Sequence, residues 1–166
     1  MTTAAALALL LAQMCVSEIG WQPQVTECVL MWEVTERNAR RSNRTIKKQI
    51  HLYNAWYVRP ERYPSRAWIA GLNLEGDEPE GWPENASWER ARRVWLRYLR
   101  AARRYLDHLD EGRRTRLCPG AVDYGGRCED ESGACDTPQN PCLRPVTCLQ
   151  IRTKQRYWAR GACGRR

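Results

Sequence analysis

From Ala4 to Val16 the chain is apolar at every position but Gln13, and Ser17 and Glu18 follow before Gly20, Trp21 and Pro23 break the run. An Ala- and Leu-rich stretch of this kind predicts a core helix over 4–18, stopped by the glycine and the proline. In 24–41 the apolar residues Val25, Cys28, Val29 and Trp32, continued at Thr35 or Glu36, fall at three- and four-residue steps and predict a second, amphipathic helix. A third and shorter helix is expected over 45–54, with Thr45 as its cap and Ile46, Ile50 and Tyr53 on one side. The stretch 56–82 loses all periodicity. It holds Pro60, Pro64, Gly71, Gly76, Pro79 and Gly81 with an acidic cluster at 75–80, and reads as a structured loop with room for a short helix near 66–70.

The clearest helix lies at 85–110. Ser87 can cap it, and Trp88, Ala91, Val94, Trp95, Tyr98, Leu99, Ala102 and Leu106 form one apolar stripe, so Trp88 and Trp95 are expected to be structural. The opposite face carries Arg90, Arg93, Arg97, Arg100, Arg103 and Arg104. Beyond Cys118 the pattern changes to Gly, Pro, Asp and Cys. Short strands are expected at 121–124 and 155–158, with a cysteine-held loop between them. The expected architecture is mainly α: four or five helices about one core, a small β-element, and a cysteine-rich C-terminal flap over 118–166.

A length of 166 residues suits a single domain spanning 1–166. The formal charge of +8 comes almost entirely from arginine, since Lys47, Lys48 and Lys154 are the only lysines, and it favours polyanionic partners. The N-terminal apolar run has no Lys or Arg before it and no small-residue cleavage pattern, so it does not read as a signal peptide; it is also too short to span a bilayer.

Six of the eight cysteines crowd into the last third: Cys118, Cys128, Cys135, Cys142, Cys148 and Cys163. No histidine lies among them and no C-x-x-C knuckle occurs, so disulfides fit better than a metal site and imply an oxidising setting. Spacing leaves the connectivity open; Cys118 with Cys148 is the first pairing to expect, and Cys15 with Cys28 either pair or remain buried thiols. His51 and His108 lack a partner at ligand spacing. Neither a metal nor another cofactor is expected, and no phosphate-binding glycine loop or nucleophile–base pair is present.

Glu18 is the first acidic residue of the chain. A carboxyl group at the end of a buried helix, beside Trp21, is expected to hold its proton above the usual range, as a general acid for glycoside cleavage must. The bland alternative is that Glu18 marks the place where a core helix meets solvent.

Four segments, in order and approximate spacing, give the chain a resemblance to the cell-wall hydrolases related to spore-cortex-lytic enzymes, a branch of the lysozyme-like lytic transglycosylases. Glu18-Ile19-Gly20-Trp21-Gln22-Pro23 resembles the family's E-A-R-G-E-P around its acid. The following helix ends in Thr35-Glu36-Arg37 where the family has N-R. Gly120-Ala121-Val122-Asp123-Tyr124 is similar to a cleft-lining G-A-x-x-Y, and Gln155-Arg156-Tyr157-Trp158 stands in the place of a terminal H-x-F-Y-like strand. Ile19, Gly20, Glu36 and Gln155 depart from the family pattern, while the acid is kept.

The resemblance implies a lysozyme-like fold and a peptidoglycan-degrading glycosidase that cleaves the MurNAc-β-1,4-GlcNAc bond. As a lytic transglycosylase it would use Glu18 first as acid and then as base. Tyr124 and Tyr157 would contact substrate, and Trp56 and Tyr57 would stack on sugar rings or else staple their loop. A hydrolase would instead need a second carboxylate roughly 5–9.5 Å away, for which Glu33, Glu36 and Asp123 are the candidates. The place of action would be the bacterial cell wall or periplasm. With no signal peptide of its own, the chain would arrive as a phage endolysin, as a virion-associated lysin, or by holin-type release. The competing class is a basic nucleic-acid- or wall-binding structural protein without catalysis, using the arginine face. The aromatics of that helix lie on the other stripe, which counts against base stacking.

Overall fold

The computed structural model describes residues 3–21, 24–53, 77–78, 80, 82, 87–114, 117–118, 121–126, 143–146, 148 and 155–160. Its helices are α1 (Thr3–Ile19), α2 (Val25–Arg41), α3 (Ile46–Tyr53) and α4 (Trp88–Asp110), and its strands are β1 (Ala121–Gly126), β2 (Leu143–Val146) and β3 (Gln155–Arg160). The expected short helix near 66–70 lies outside the described residues.

Local chemistry sets the helix ends. The hydroxyl of Thr45 accepts from the Lys48 amide at 3.1 Å, and that of Ser87 from the Arg90 amide at 3.3 Å, so both expected caps are in place. Helix α4 closes with Gly112 at φ +73, where the Gly112 amide reaches the Leu109 carbonyl at 3.0 Å and the Arg113 amide the His108 carbonyl at 2.8 Å. Helix α2 closes in the same way with Asn43 at φ +50, its Arg44 amide reaching the Ala39 carbonyl at 2.8 Å. Both are Schellman closures, which need a left-handed residue just past the helix.

Helix α1 packs on α4 and α2, α2 also packs on α3 and α4, and β1 lies against α2. The core contains Leu11, Met14, Trp32, Val34, Ile50, Trp95, Tyr98 and Leu99, and one hydrophobic cluster runs on through Cys118, Ala121 and Cys148 into the β-region. The indole of Trp32 donates to the Leu11 carbonyl at 3.0 Å, joining α2 to α1, and its ring meets Tyr105 of α4 at 5.5 Å. The expected stripe of α4 is buried throughout, apart from a half-buried Trp88.

Helix α2 departs from its expected single face. Leu30, Met31 and Val34 are buried as well as Cys28 and Trp32, and so are the charged Glu27, Glu33 and Glu36. With α1, α3, α4 and the sheet all packed on it, α2 is a central helix. Its carboxylates hide this in the sequence.

The sheet has the order β1-β3-β2 and is antiparallel throughout. Strand β2 corrects the expectation that everything between the two predicted strands is loop. It contains Pro145, and β2 is an edge strand, where a missing amide is tolerated. Among the described residues two disulfides, Cys15–Cys28 (Cα–Cα 5.4 Å) and Cys118–Cys148 (Cα–Cα 4.5 Å), tie α1 to α2 and the approach to β1 to the segment after β2. No described helix is long and apolar enough to cross a membrane.

Candidate functional site

Glu18 is the penultimate residue of α1 and is half-buried. Three features hold this end of the helix. One turn earlier, Cys15 is bonded to Cys28 in the first turn of α2. Two residues later, Gly20 sits at φ +75 and its amide reaches the Val16 carbonyl at 2.9 Å, so the chain leaves α1 through a left-handed residue. The Gly20 carbonyl in turn accepts from the hydroxyl of Tyr98 on α4 at 3.2 Å. The Glu18 backbone is therefore fixed by α2 on one side and α4 on the other.

Trp21 follows the exit of α1, partly buried against the core. Its ring meets Trp82 at 5.6 Å, and Trp82 meets Trp88 edge-on at 5.0 Å. Three indoles thus lie beside the exit of α1, with the polarity and flat apolar faces that sugar rings favour.

Sequence reasoning missed a second carboxylate here, Glu27. It is buried in the first turn of α2, next to Cys28, and the positive end of the α2 dipole favours its charge. Its charge is felt at Tyr98, whose phenol is pushed up to about 12, first by burial and then by Glu27, against a lowering backbone hydrogen bond at Gln24. The available signal was its place at i, i+4, i+7 with Met31 and Val34.

Two of the proposed second carboxylates, Glu33 and Glu36, have other partners. Glu33 is 3% exposed and is bonded to Arg37, while its other oxygen accepts from the Leu117 amide at 2.8 Å and the Cys118 amide at 3.4 Å. Arg37 also donates to the Ala121 carbonyl at the start of β1. Glu36 pairs with Arg40 at 2.8 Å and with Arg114 at 3.3 Å. Burial raises the Tyr105 phenol well above its ordinary value, and the charges of Glu36 and then Glu33 raise it further. This ionic group docks the β-region on the second half of α2. Arg37 lies nine residues past Cys28, an axial offset of about 14 Å along the helix.

Tyr124 and Tyr157 are direct register partners across β1 and β3, so two separately chosen residues meet in the sheet. Asp123 is the partner of Trp158. The sheet that carries these residues packs on α2, whereas Glu18 sits at the junction of α1, α2 and α4. Trp56 and Tyr57 lie outside the described residues. His51 is exposed and His108 half-exposed on their helices. Among the described residues, no three His, Cys, Asp or Glu side chains are grouped to hold a metal ion. Comparison with known protein families, curated proteins and solved structures returns no match to the chain.

Proposed function

We propose that the chain is a peptidoglycan-degrading glycosidase of lysozyme-like type, a lytic transglycosylase in which Glu18 is the general acid and then the base. The observation that carries the reading is the placing of Glu18: half-buried, at the C-terminal end of a core helix, on a backbone fixed by a disulfide and by the Tyr98–Gly20 hydrogen bond. Partial burial and the negative end of the helix dipole both favour the protonated form of a carboxylic acid.

In the reaction, the Glu18 carboxyl gives its proton to the glycosidic oxygen between MurNAc C1 and the GlcNAc leaving group. The C1–O bond breaks through an oxocarbenium-like state. The carboxylate then takes the proton of the MurNAc C6 hydroxyl as that oxygen bonds to C1. The products are a GlcNAc end and a 1,6-anhydro sugar, and Glu18 is again protonated. No water enters and no second carboxylate is used, which agrees with Glu33 and Glu36 being tied up in ion pairs. Tyr124 and Tyr157 are proposed to line the glycan cleft, and the indoles Trp21, Trp82 and Trp88 to wall its α1 end. The two disulfides fit action in an oxidising compartment such as the periplasm or the outer wall.

The test is Glu18→Gln, which keeps the size of the side chain and removes its proton. Lysis of purified peptidoglycan should fall by about 10²-fold or more, the usual scale of a lost general acid, with the circular dichroism spectrum unchanged. Unchanged lysis would remove Glu18 from the mechanism. A non-catalytic binding protein is the second reading, favoured by the exposed arginines of α4.

A further inference from the structure

The arginines of α4 are handled differently from those of α2. On α2, Arg37 and Arg40 each meet a carboxylate one turn away, Glu33 and Glu36. On α4 no acidic residue occurs between Glu89 and Asp107. Arg90, Arg93, Arg97, Arg100 and Arg104 are all exposed, and none forms an ion pair with a carboxylate among the described residues. At 100° per residue these five fall within an arc of about 80°, and their fourteen-residue span covers about 21 Å of helix. The result is a straight row of guanidinium groups, one per roughly 5 Å. Neighbours in the row are three or four residues apart, where like charges oppose helix formation. A merely solvated face gains nothing from that arrangement, whereas a strand bearing repeated negative charges offsets it.

We propose that this row is a docking surface for the stem-peptide carboxylates of cell-wall glycopeptide, retaining the protein on its insoluble polymer. The proposal rests on the wall-directed reading above and adds to it a second contact, away from the bond-breaking site. The buried stripe of α4 faces the core and α1, so the arginine row lies on the side of α4 turned away from the helix that carries Glu18. Two observations favour the wall over nucleic acid. The aromatics Trp88, Trp95, Tyr98 and Tyr105 of α4 sit on the stripe packed into the core, so among the described residues of α4 no stacking platform accompanies the arginines. The two disulfides fit an oxidising compartment, where envelope polymer is the resident polyanion.

The test uses the full chain carrying Glu18→Gln, so that binding is read without digestion, on purified sacculi stripped of other wall polymers. The protein should pellet with the sacculi at low salt and be released at high salt. Adding R93Q, R97Q, R100Q and R104Q should weaken binding roughly 10-fold or more, from the loss of several exposed contacts each of modest strength. A charge-reversed set at the same positions should weaken it further. Circular dichroism checks that these exposed substitutions leave the fold intact. Equal binding by the neutralised variant, absence of sacculus binding in its parent, or displacement of the parent by duplex DNA in preference to sacculi would each overturn the proposal. Cleavage of soluble, peptide-free glycan strands separates this from the Glu18 reading. With Glu18 present, the neutralised variant should cleave them at the wild-type rate. If neither form cleaves while the arginine-dependent binding stands, it is the Glu18 reading that fails.

Discussion

Removing the Glu33 carboxylate should uncouple the β-region from the helices. Glu33→Ala leaves Arg37 without its carboxylate in a site where the arginine side chain is only 12% exposed, and deprives the Leu117 and Cys118 amides of their acceptor. Breaking a buried pair from one side costs about 3–5 kcal/mol, because the remaining charge stays desolvated. The small opening at Arg37 sets the expectation near the lower end, about 3 kcal/mol. Glu33→Gln keeps a carbonyl oxygen for the two amides and loses only the charge, so about 1–2 kcal/mol is expected. Glu33→Ala with Arg37→Ala should cost less than the two single changes added together, with a coupling of about 1–3 kcal/mol. The assay is urea unfolding followed by tryptophan fluorescence, with the disulfides intact. A loss below about 1 kcal/mol in Glu33→Ala, or strictly additive single changes, would refute the docking role of this pair.

Opening the disulfides should cost about 3 kcal/mol for Cys15–Cys28 and about 4 kcal/mol for Cys118–Cys148, from closed loops of 13 and 30 residues' separation; an unchanged melting temperature in reductant would contradict this. Tyr98 carries a folded-state value raised from 10.0 to about 12, so the stability it contributes is complete below pH 10 and is lost as pH rises towards 12. A difference titration of phenolate absorbance against Tyr98→Phe should show its ionisation only with alkaline unfolding, and a midpoint near 10 in folded protein would refute its burial. Gly20→Ala meets no atom within 4 Å, so its cost is the strain of φ +75 alone, about 1 kcal/mol on melting; a loss well above that would mean the exit of α1 is more crowded than described.

What was legible in the sequence was mostly local. The apolar run of α1, the stripe of α4 and the caps Thr45 and Ser87 each depend on residues within a turn or two. The pairing of Cys118 with Cys148 was anticipated, and that of Cys15 with Cys28 was one of two options left open. The features that escaped depend on distant partners. Glu33 and Arg37 look like an ordinary surface pair until Leu117, Cys118 and Ala121 arrive from more than eighty residues away. Strand β2 contains Pro145, whose meaning depends on β2 lying at the sheet edge. Glu27 was hidden because a charged residue in a first helical turn suggests solvent, whereas here it is buried with its charge felt at Tyr98 of α4. Tyr124 and Tyr157 were chosen one at a time from the resemblance, and only the β1–β3 register makes them neighbours.

The central claim is that Glu18 breaks a glycosidic bond without water. The direct measurement is mass spectrometry of purified peptidoglycan digested by the wild-type protein and by Glu18→Gln. Anhydro-muropeptides, lighter by one water than reducing-end fragments, should form with the wild type and vanish with the variant. Reducing-end products would contradict the transglycosylase mechanism and direct attention to Glu27 or Asp123 as a second carboxylate. Release of no muropeptides by the wild type would contradict catalysis itself.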